Sequence, residues 1–272
     1  MRLLFLGDIV GSAARHKIIE EMPHIRKELA LDFVVVNGEN AAGGFGITEK
    51  ICNELFDADI DCITTGNHAW DQREVLSFID REPRLLRPAN YPPNTPGNGA
   101  GLYDAKNGEK VLVVNLMGRH YMHPPLDDPF SAIERELEAC SLRVGADVIL
   151  VDMHAEACSE KMAMGHFCDG KASLVVGSHT HVPTADVQIL PHGTAYQSDA
   201  GMCGDYDSVI GMDKEEPVQR FLSRIPSKRF TPAQGPPTLC GIIVETEPKT
   251  GLAKSALAFR KGARLQNTIG EK

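Results

Sequence analysis

The stretch Val175-Val-Gly-Ser-His-Thr-His-Val182 indicates both how this chain folds and where its chemistry lies. The apolar run Leu174-Val-Val176 predicts a buried strand that ends at Gly177, and two imidazoles follow at His179 and His181. Side chains one residue apart can converge beyond a sheet edge, and neutral histidines are common metal ligands. Two histidines in a loop are more often surface residues, so a metal site needs support from the rest of the chain.

The length of the chain allows one large α/β domain or two small ones. The chain has 272 residues, 42% of them hydrophobic and 24% charged, and we find neither an internal repeat nor a linker, so we predict a single domain over residues 1–272. The net charge of -9 argues against an extended nucleic-acid surface held by phosphate contacts. It leaves room for a small anionic substrate, because bound metal supplies local positive charge.

The cysteines and the apolar segments favour a cytoplasmic protein. Seven cysteines, an odd number, are scattered without a Cys-x-x-Cys pair, which is typical of reduced thiols. The first residues enter a strand directly and lack the pattern of a secretory signal. No apolar stretch approaches the length that spans a membrane. The sequence therefore predicts a cytoplasmic protein without a membrane segment.

Apolar runs and helical patterns alternate along the chain, which predicts early strands that are mostly parallel and later strands that are antiparallel. Strands are expected at 3–6, 33–36, 62–65, 111–116, 147–151, 174–176, 187–190, 194–198, 239–246 and 255–259. Helices are expected at 12–29, 49–57, 71–81, 129–142 and 159–167, with loops at 88–101 and 201–211. Thr48 and Asp71 are predicted helix caps, and Asn107-Gly108 a hairpin turn.

Polar side chains follow five of these strands. They are Asp8; Glu39 and Asn40; Asn67 and His68; His154; and His179 and His181. Ligands of open α/β sheets bind beyond the carboxyl ends of the strands, so residues far apart in sequence can meet there. Glycines just before Asp8, Glu39 and Asn67 allow sharp turns and a close approach of the backbone to a ligand.

Each of these residues also has a structural interpretation. Asp8 could cap the next helix, Asn67 could hold a turn, and His154 could pair with Asp152. Glu39 is harder to explain, because an unpaired carboxylate after a buried strand is costly. Taken together, the residues favour metal, and they exceed the needs of one tetrahedral zinc. They fit two cations that share a bridging carboxylate.

The order of these motifs resembles the calcineurin-like metallophosphoesterase superfamily, and specifically its bacterial YmdB-like branch. The motifs are Gly7-Asp8, Asn37-Gly-Glu39-Asn40, Gly66-Asn67-His68, Asp152-Met-His-Ala-Glu156 and Gly177-Ser-His-Thr-His-Val-Pro-Thr-Ala-Asp186. The resemblance implies a four-layer α-β-β-α sandwich with mixed sheets and a metal site at the carboxyl ends of the strands. The chain departs from the wider superfamily twice. Asp8-Ile-Val10 lacks the usual histidine, and Glu39 replaces the usual bridging aspartate.

The resemblance also implies the ligand sets. The first metal would be held by Asp8, Glu39, Asn40 and His181, and the second by Glu39, Asn67, His154 and His179. Iron is the first expectation for both metals and manganese the second. A hydroxide between the metals would attack phosphorus, and His68, which is not assigned as a ligand, is the candidate proton donor to the leaving group.

The activity implied is hydrolysis of 2′,3′-cyclic nucleotides or of similar small phosphodiesters. The partner expected is therefore a small phosphoester. A phosphomonoesterase or protein phosphatase on the same metal centre is an alternative, because the metal ligands would be shared. A nucleotide- or RNA-sensing regulatory protein with weak hydrolysis is another. The sequence leaves the oligomeric state open, including a homo-oligomer.

Overall fold

Apolar strands such as Phe33–Asn37 form the centre of two six-stranded sheets in the computed structural model, which describes residues 1–268. The first sheet contains, in spatial order, β12 (Ala253–Gly262), β11 (Thr238–Thr246), β1 (Arg2–Leu6), β2 (Phe33–Asn37), β3 (Cys62–Thr64) and β4 (Leu85–Leu86). The second contains β5 (Ala100–Asp104), β6 (Lys110–Met117), β7 (Val148–His154), β8 (Leu174–Ser178), β10 (Ala195–Gln197) and β9 (Gln188–Ile189).

The central strands of both sheets are parallel. Strands β1 to β4 pair in parallel, as do β6, β7, β8 and β10. Antiparallel strands lie at the edges: β11 and β12 beside β1, β5 beside β6, and β9 beside β10. The expected change from mostly parallel early strands to antiparallel later strands is confirmed except at β10, a late strand that pairs in parallel with β8. Within each parallel set, the carboxyl ends of the strands lie at one edge of the sheet.

Alternate residues of each central strand face opposite sides. Phe5 and Val35 belong to a core between the two sheets that also contains Val113 and Leu150 of the second sheet. Their neighbours along the strands pack instead against helices, in two outer cores. The layers are therefore helix, sheet, sheet and helix, as the resemblance implies. The core shared by both sheets supports a single domain, which stays a prediction.

Two pairs of helices form the outer layers. The helices are α1 (Gly11–Glu28), α2 (Glu49–Asp57), α3 (Val75–Phe78), α4 (Pro129–Ala139), α5 (Cys158–Phe167) and α6 (Glu215–Ser223), with a 3-10 turn at Ile79–Arg81. Helices α1 and α2 cover the first sheet, and α4 and α5 the second. Thr48 caps α2 as predicted. No helix within residues 1–268 has the length and apolarity needed to cross a membrane.

Several of the expectations about secondary structure are wrong in detail. Asp71 does not cap a helix, because its carboxylate contacts His68 and helix α3 starts only after Glu74. The loop expected at 88–101 runs into strand β5, which pairs with β6 across the predicted turn. Strand β7 continues past Val151 to His154. Helix α6 has no counterpart among the predicted elements.

Candidate dinuclear metal centre

The carboxyl ends of strands from both sheets meet at one place. Asp8 follows β1, Glu39 follows β2, and Asn67 follows β3, all in the first sheet. His154 ends β7 and His179 follows β8 in the second sheet. The structure brings all the predicted site residues together, including Asn40, His68 and His181. Their roles as ligands stay predictions.

Glu39 is the common member of two groups of potential ligands. One group is Glu39, His154 and His179, and the other is Asp8, Glu39 and His181. Within each group, one ligand atom per residue lies within 4.8 Å of the others. The Glu39 side chain is 1% exposed, so its carboxylate has almost no water to stabilise its charge. This is the position that a bridging carboxylate needs.

His181 and Asn40 face each other with two acceptor atoms. The Nδ1 of His181 is 2.7 Å from the carbonyl oxygen of Ile210, so Nδ1 carries a proton and Nε2 of the neutral ring has a lone pair. The Asn40 amide is oriented by its Nδ2, which donates to the carbonyl of Gly44. Asn40 Oδ1 then lies 3.2 Å from His181 Nε2. Two lone pairs at this distance are compatible with a cation that accepts from both.

His154 is oriented by residues behind the site. Its Nδ1 donates to Ser178 Oγ, 2.9 Å away, and that hydroxyl donates to Asp152. The interpretation of His154 and Asp152 as a directly bonded pair is therefore wrong, because Ser178 lies between them. The Nε2 of His154 points at Asn67 Oδ1 and Glu39 Oε2, at 2.9 and 3.2 Å. A fixed Nδ1–H leaves Nε2 available to a metal.

Asp8 is buried and incompletely hydrogen-bonded. Its Oδ2 accepts from the backbone N–H of His179, whereas Oδ1 has no hydrogen-bond partner among the described residues. Oδ1 lies 3.9 Å from a ring nitrogen of His154 and of His181. The capping interpretation is wrong, because Val10 occupies the N-cap of α1 and no side chain caps that helix. An orphaned carboxylate oxygen beside two imidazoles fits a cation site.

Burial and mutual charge determine the protonation of the site before metal binds. Burial raises the pKa of Asp8 to about 6. Burial disfavours the charges on Glu39 and His154 too, but their attraction lowers the pKa of Glu39 to about 2 and raises that of His154 to about 9. Burial and the neighbouring His154 lower the pKa of His179 to about 3. His154 therefore holds a proton that a metal must displace, whereas His179 is already neutral.

The loop that carries His179 and His181 has an unusual backbone. Both residues have positive φ, at 102° and 67°, a conformation that is costly for residues other than glycine. Between them, the N–H and hydroxyl of Thr180 donate to Asp199 Oδ2. The same oxygen accepts from the fully buried Lys161, at 2.7 Å. This buried ion pair holds the loop in its strained form.

His68 lies beside the potential ligands and outside both groups. Its backbone N–H donates to Glu39 Oε2, and its ring Nδ1 is 2.8 Å from Asp71. Phe45 packs edge-on against the ring, with centroids 5.1 Å apart. His68 lines a cavity of about 710 Å³ that also reaches Glu39, so its ring faces the space open to a substrate.

Sequence reasoning missed Glu156, Lys161 and Asp199, which act on this site. Glu156 Oε2 lies 3.1 Å from His179 Nε2, and Lys161 and Asp199 brace the histidine loop. Glu156 had a signal, because it belongs to the motif that begins at Asp152. Lys161 and Asp199 had none, because a helix lysine and an aspartate after a short strand are ordinary surface residues in most sequences.

A family model described as "YmdB-like protein" matches residues 4–258. The chain belongs to the YmdB-like family. This confirms the resemblance of the motifs.

Relatives of this YmdB-like chain are found among curated proteins and solved structures. The 2′,3′-cyclic-nucleotide 2′-phosphodiesterase of Bacillus subtilis (strain 168) is 48% identical over 250 residues, which are 92% of this chain and 93% of the relative. The crystal structure of a hypothetical protein from Thermus thermophilus is 42% identical, with a TM-score of 0.88, and the match covers 96% and 99% of the two chains. That of a novel phosphatase from Mycoplasma pneumoniae is 31% identical, with a TM-score of 0.88 and coverage of 96% and 93%.

Replacing the buried lysine tests how the histidine loop is held. Lys161→Met leaves Asp199 buried without its cation, and we expect a loss of about 3–5 kcal/mol in the free energy of unfolding. Lys254→Met removes a lysine from an exposed pair with Glu245 and should cost about 0–1 kcal/mol. Urea unfolding of the chelator-treated proteins measures both. Equal losses in the two variants would contradict this role of Lys161.

Metal binding should release a proton from His154. At about pH 7, between the pKa of Asp8 near 6 and that of His154 near 9, His154 of the metal-free site holds a proton that the cation displaces. Apparent affinity should therefore rise with pH up to about 9, and fall more steeply below about 6, where Asp8 is protonated too. Calorimetry in buffers of different ionisation enthalpy measures the proton count. Binding of metal without proton release at neutral pH would refute this protonation state.

Proposed function

We propose that this chain is a phosphodiesterase that hydrolyses 2′,3′-cyclic nucleotides or similar small phosphodiesters at a dinuclear metal centre. The observation that carries the proposal is the arrangement around Glu39. One buried carboxylate belongs to two groups of imidazole and carboxylate ligands, and the lone pairs of Asn40 and His181 face each other beside it. The named activity of the Bacillus relative supports the substrate class.

The proposed ligand sets follow the two groups. Asp8, Glu39, Asn40 and His181 would hold one cation, and Glu39, Asn67, His154 and His179 the other. Asn67 Oδ1 lies next to His154 Nε2, and Asn40 Oδ1 next to His181 Nε2, which supports assigning one amide to each cation. Two bound cations lower the pKa of a water and neutralise charge on a phosphoryl group.

His68, which packs against Phe45 beside the proposed ligands, would act on the leaving group. His68 would protonate the leaving ribose oxygen, since its Nδ1 faces Asp71 and its ring lines the cavity. The backbone N–H of His68 also holds Glu39 Oε2, which links the position of the donor to that of the carboxylate. Phe45 packs against the ring and limits its rotation. No nucleophilic serine or cysteine is required in this scheme.

Imidazole, carboxylate and amide ligands suit iron, manganese, zinc or cobalt better than calcium or magnesium. Iron is proposed as the native metal, with manganese second, because the motifs resemble those of the YmdB-like family. A cytoplasmic location is supported by the cysteines, all seven of which are free thiols. The partner we propose is a small anionic phosphoester. The net charge of -9 gives no support to an extended nucleic-acid surface.

A phosphomonoesterase is the second candidate, because the Mycoplasma structure is described as a phosphatase. Both activities would use the same ligands. Turnover of bis-p-nitrophenyl phosphate and of p-nitrophenyl phosphate separates them. A kcat/KM at least about tenfold higher for the diester supports the diesterase, and the reverse order supports the monoesterase.

Replacing His68 separates proton transfer from metal binding. His68→Ala should retain both metals and lose about 10²–10⁴-fold in kcat on cyclic nucleotide, because a general acid is removed. Glu39→Gln should lose metal and activity together. Metal content by plasma mass spectrometry and turnover are measured on the same samples.

The matched control is His24→Ala, which removes an exposed histidine of helix α1. It should change neither metal content nor kcat. Full activity in His68→Ala would withdraw the role of His68 as proton donor and leave the metal assignment standing.

A further inference from the structure

The cavity beside Glu39 extends well beyond the space that a phosphate fills. Its volume of about 710 Å³ is in the range of pockets that bind whole small molecules. One end carries the predicted metal ligands and His68. The rest of the lining is largely apolar and aromatic and contains two arginines, with the residues Val209, Ile210, Met212, Pro217, Arg220, Phe221, Arg224 and Phe230. We call these residues the distal wall.

The distal wall is a braced structure. The buried carboxylate of Glu216 in helix α6 accepts from Arg220 at 2.6 Å and from the backbone N–H of Ser227 at 3.0 Å. Arg220 also donates to the carbonyl of Lys228 and lies over the ring of Phe230, 3.9 Å from its centroid. These contacts fasten the segment after α6 to the helix and fix the ring of Phe230 in the wall.

The distal wall is also bonded to the metal end of the cavity. Ile210, which belongs to the wall, accepts the Nδ1–H of His181 at 2.7 Å. Two residues further on, Met212 forms a bridge with Pro232. The distance between the wall and the predicted ligands is therefore set by the fold. A molecule held at one end of the cavity meets a defined surface at the other.

Phe221 is an aromatic residue of the distal wall that lies largely in water. It lines the cavity, yet 79% of its surface is exposed to water. Its neighbour Leu222 is 77% exposed and does not line the cavity. A phenyl ring at the mouth of a cavity, with Phe230 deeper in the wall and the exposed Arg224 nearby, offers π faces and a cation to a planar ligand.

We propose that the distal wall is a nucleobase subsite, in which Phe221 and Phe230 contact the faces of the base and Arg224 its polar edge. This inference rests on the proposed function, because it places the phosphate of a nucleotide at the Glu39 end. The ribose carries phosphate and base on different carbons, so a phosphate at the metals directs the base along the cavity. Stacking accepts every base, so the 2′,3′-cyclic nucleotides of adenine, guanine, cytosine and uracil should all be substrates.

The test compares a nucleotide with the same sugar phosphate lacking its base. The substrates are adenosine 2′,3′-cyclic phosphate and 1-O-methylribose 2,3-cyclic phosphate, on metal-loaded protein. Phe221→Ala should lower kcat/KM for the nucleotide on the order of tenfold and leave that for the base-free substrate unchanged. Leu222→Ala, the matched control, should change neither. An equal loss on both substrates, or equal losses in both variants, overturns the subsite.

Direct binding separates this inference from the proposed function. If the wild-type protein hydrolyses neither cyclic phosphate, the proposed function falls. Calorimetry with adenosine 3′-monophosphate and with ribose phosphate then still tests whether the distal wall binds the base. Tighter binding of the nucleotide, lost in Phe221→Ala and kept in Leu222→Ala, supports the subsite. Equal binding of the two ligands overturns it. The subsite is also overturned if the wild-type protein is a dimer and both variants are monomers. The exposed apolar residues would then belong to an interface between copies.

Discussion

The buried carboxylate of Glu39 is the constraint on which the rest of the site depends. A charge that is 1% exposed must be balanced by its surroundings, and Glu39 lies among imidazoles from the second sheet. Without metal, the balance is a proton on His154, whose pKa that pairing raises to about 9. With metal bound, the proposed cations would balance this charge instead. The same carboxylate therefore explains the electrostatics of the metal-free site and the geometry of the proposed centre.

Two sheets are needed to build this arrangement. The first provides Asp8, Glu39 and Asn67, and the second provides His154 and His179. Parallel strands bring these side chains to one edge of each sheet, and the apolar core between the sheets brings the two edges together. Residues behind the proposed ligands hold them in position. Ser178 orients His154, and the buried pair of Lys161 and Asp199 holds a histidine loop whose backbone is strained.

Much of the fold and of the candidate site can be predicted from the sequence. Runs such as residues 33–36 indicate central strands because every residue in them is apolar, as in strands that are covered on both faces. The polar residue after each strand indicates the edge at which the candidate site lies. Helix α6 is absent from the predicted elements although Val218, Phe221 and Leu222 have the i, i+3, i+4 spacing of an amphipathic helix. The folded chain leaves this apolar stripe exposed instead of packing it on a sheet. The role of Lys161 cannot be predicted from the sequence either, because its partner Asp199 lies 38 residues away and only the folded chain brings them together.

Anomalous scattering from crystals of the metal-loaded protein tests the central claim most directly. The account predicts two peaks about 3.5–4 Å apart on either side of the Glu39 carboxylate, as in known two-metal sites. One peak should lie next to His181 and Asn40, and the other next to His154 and Asn67. A single peak, or peaks that leave Glu39 uncoordinated, would contradict a dinuclear centre bridged by this residue.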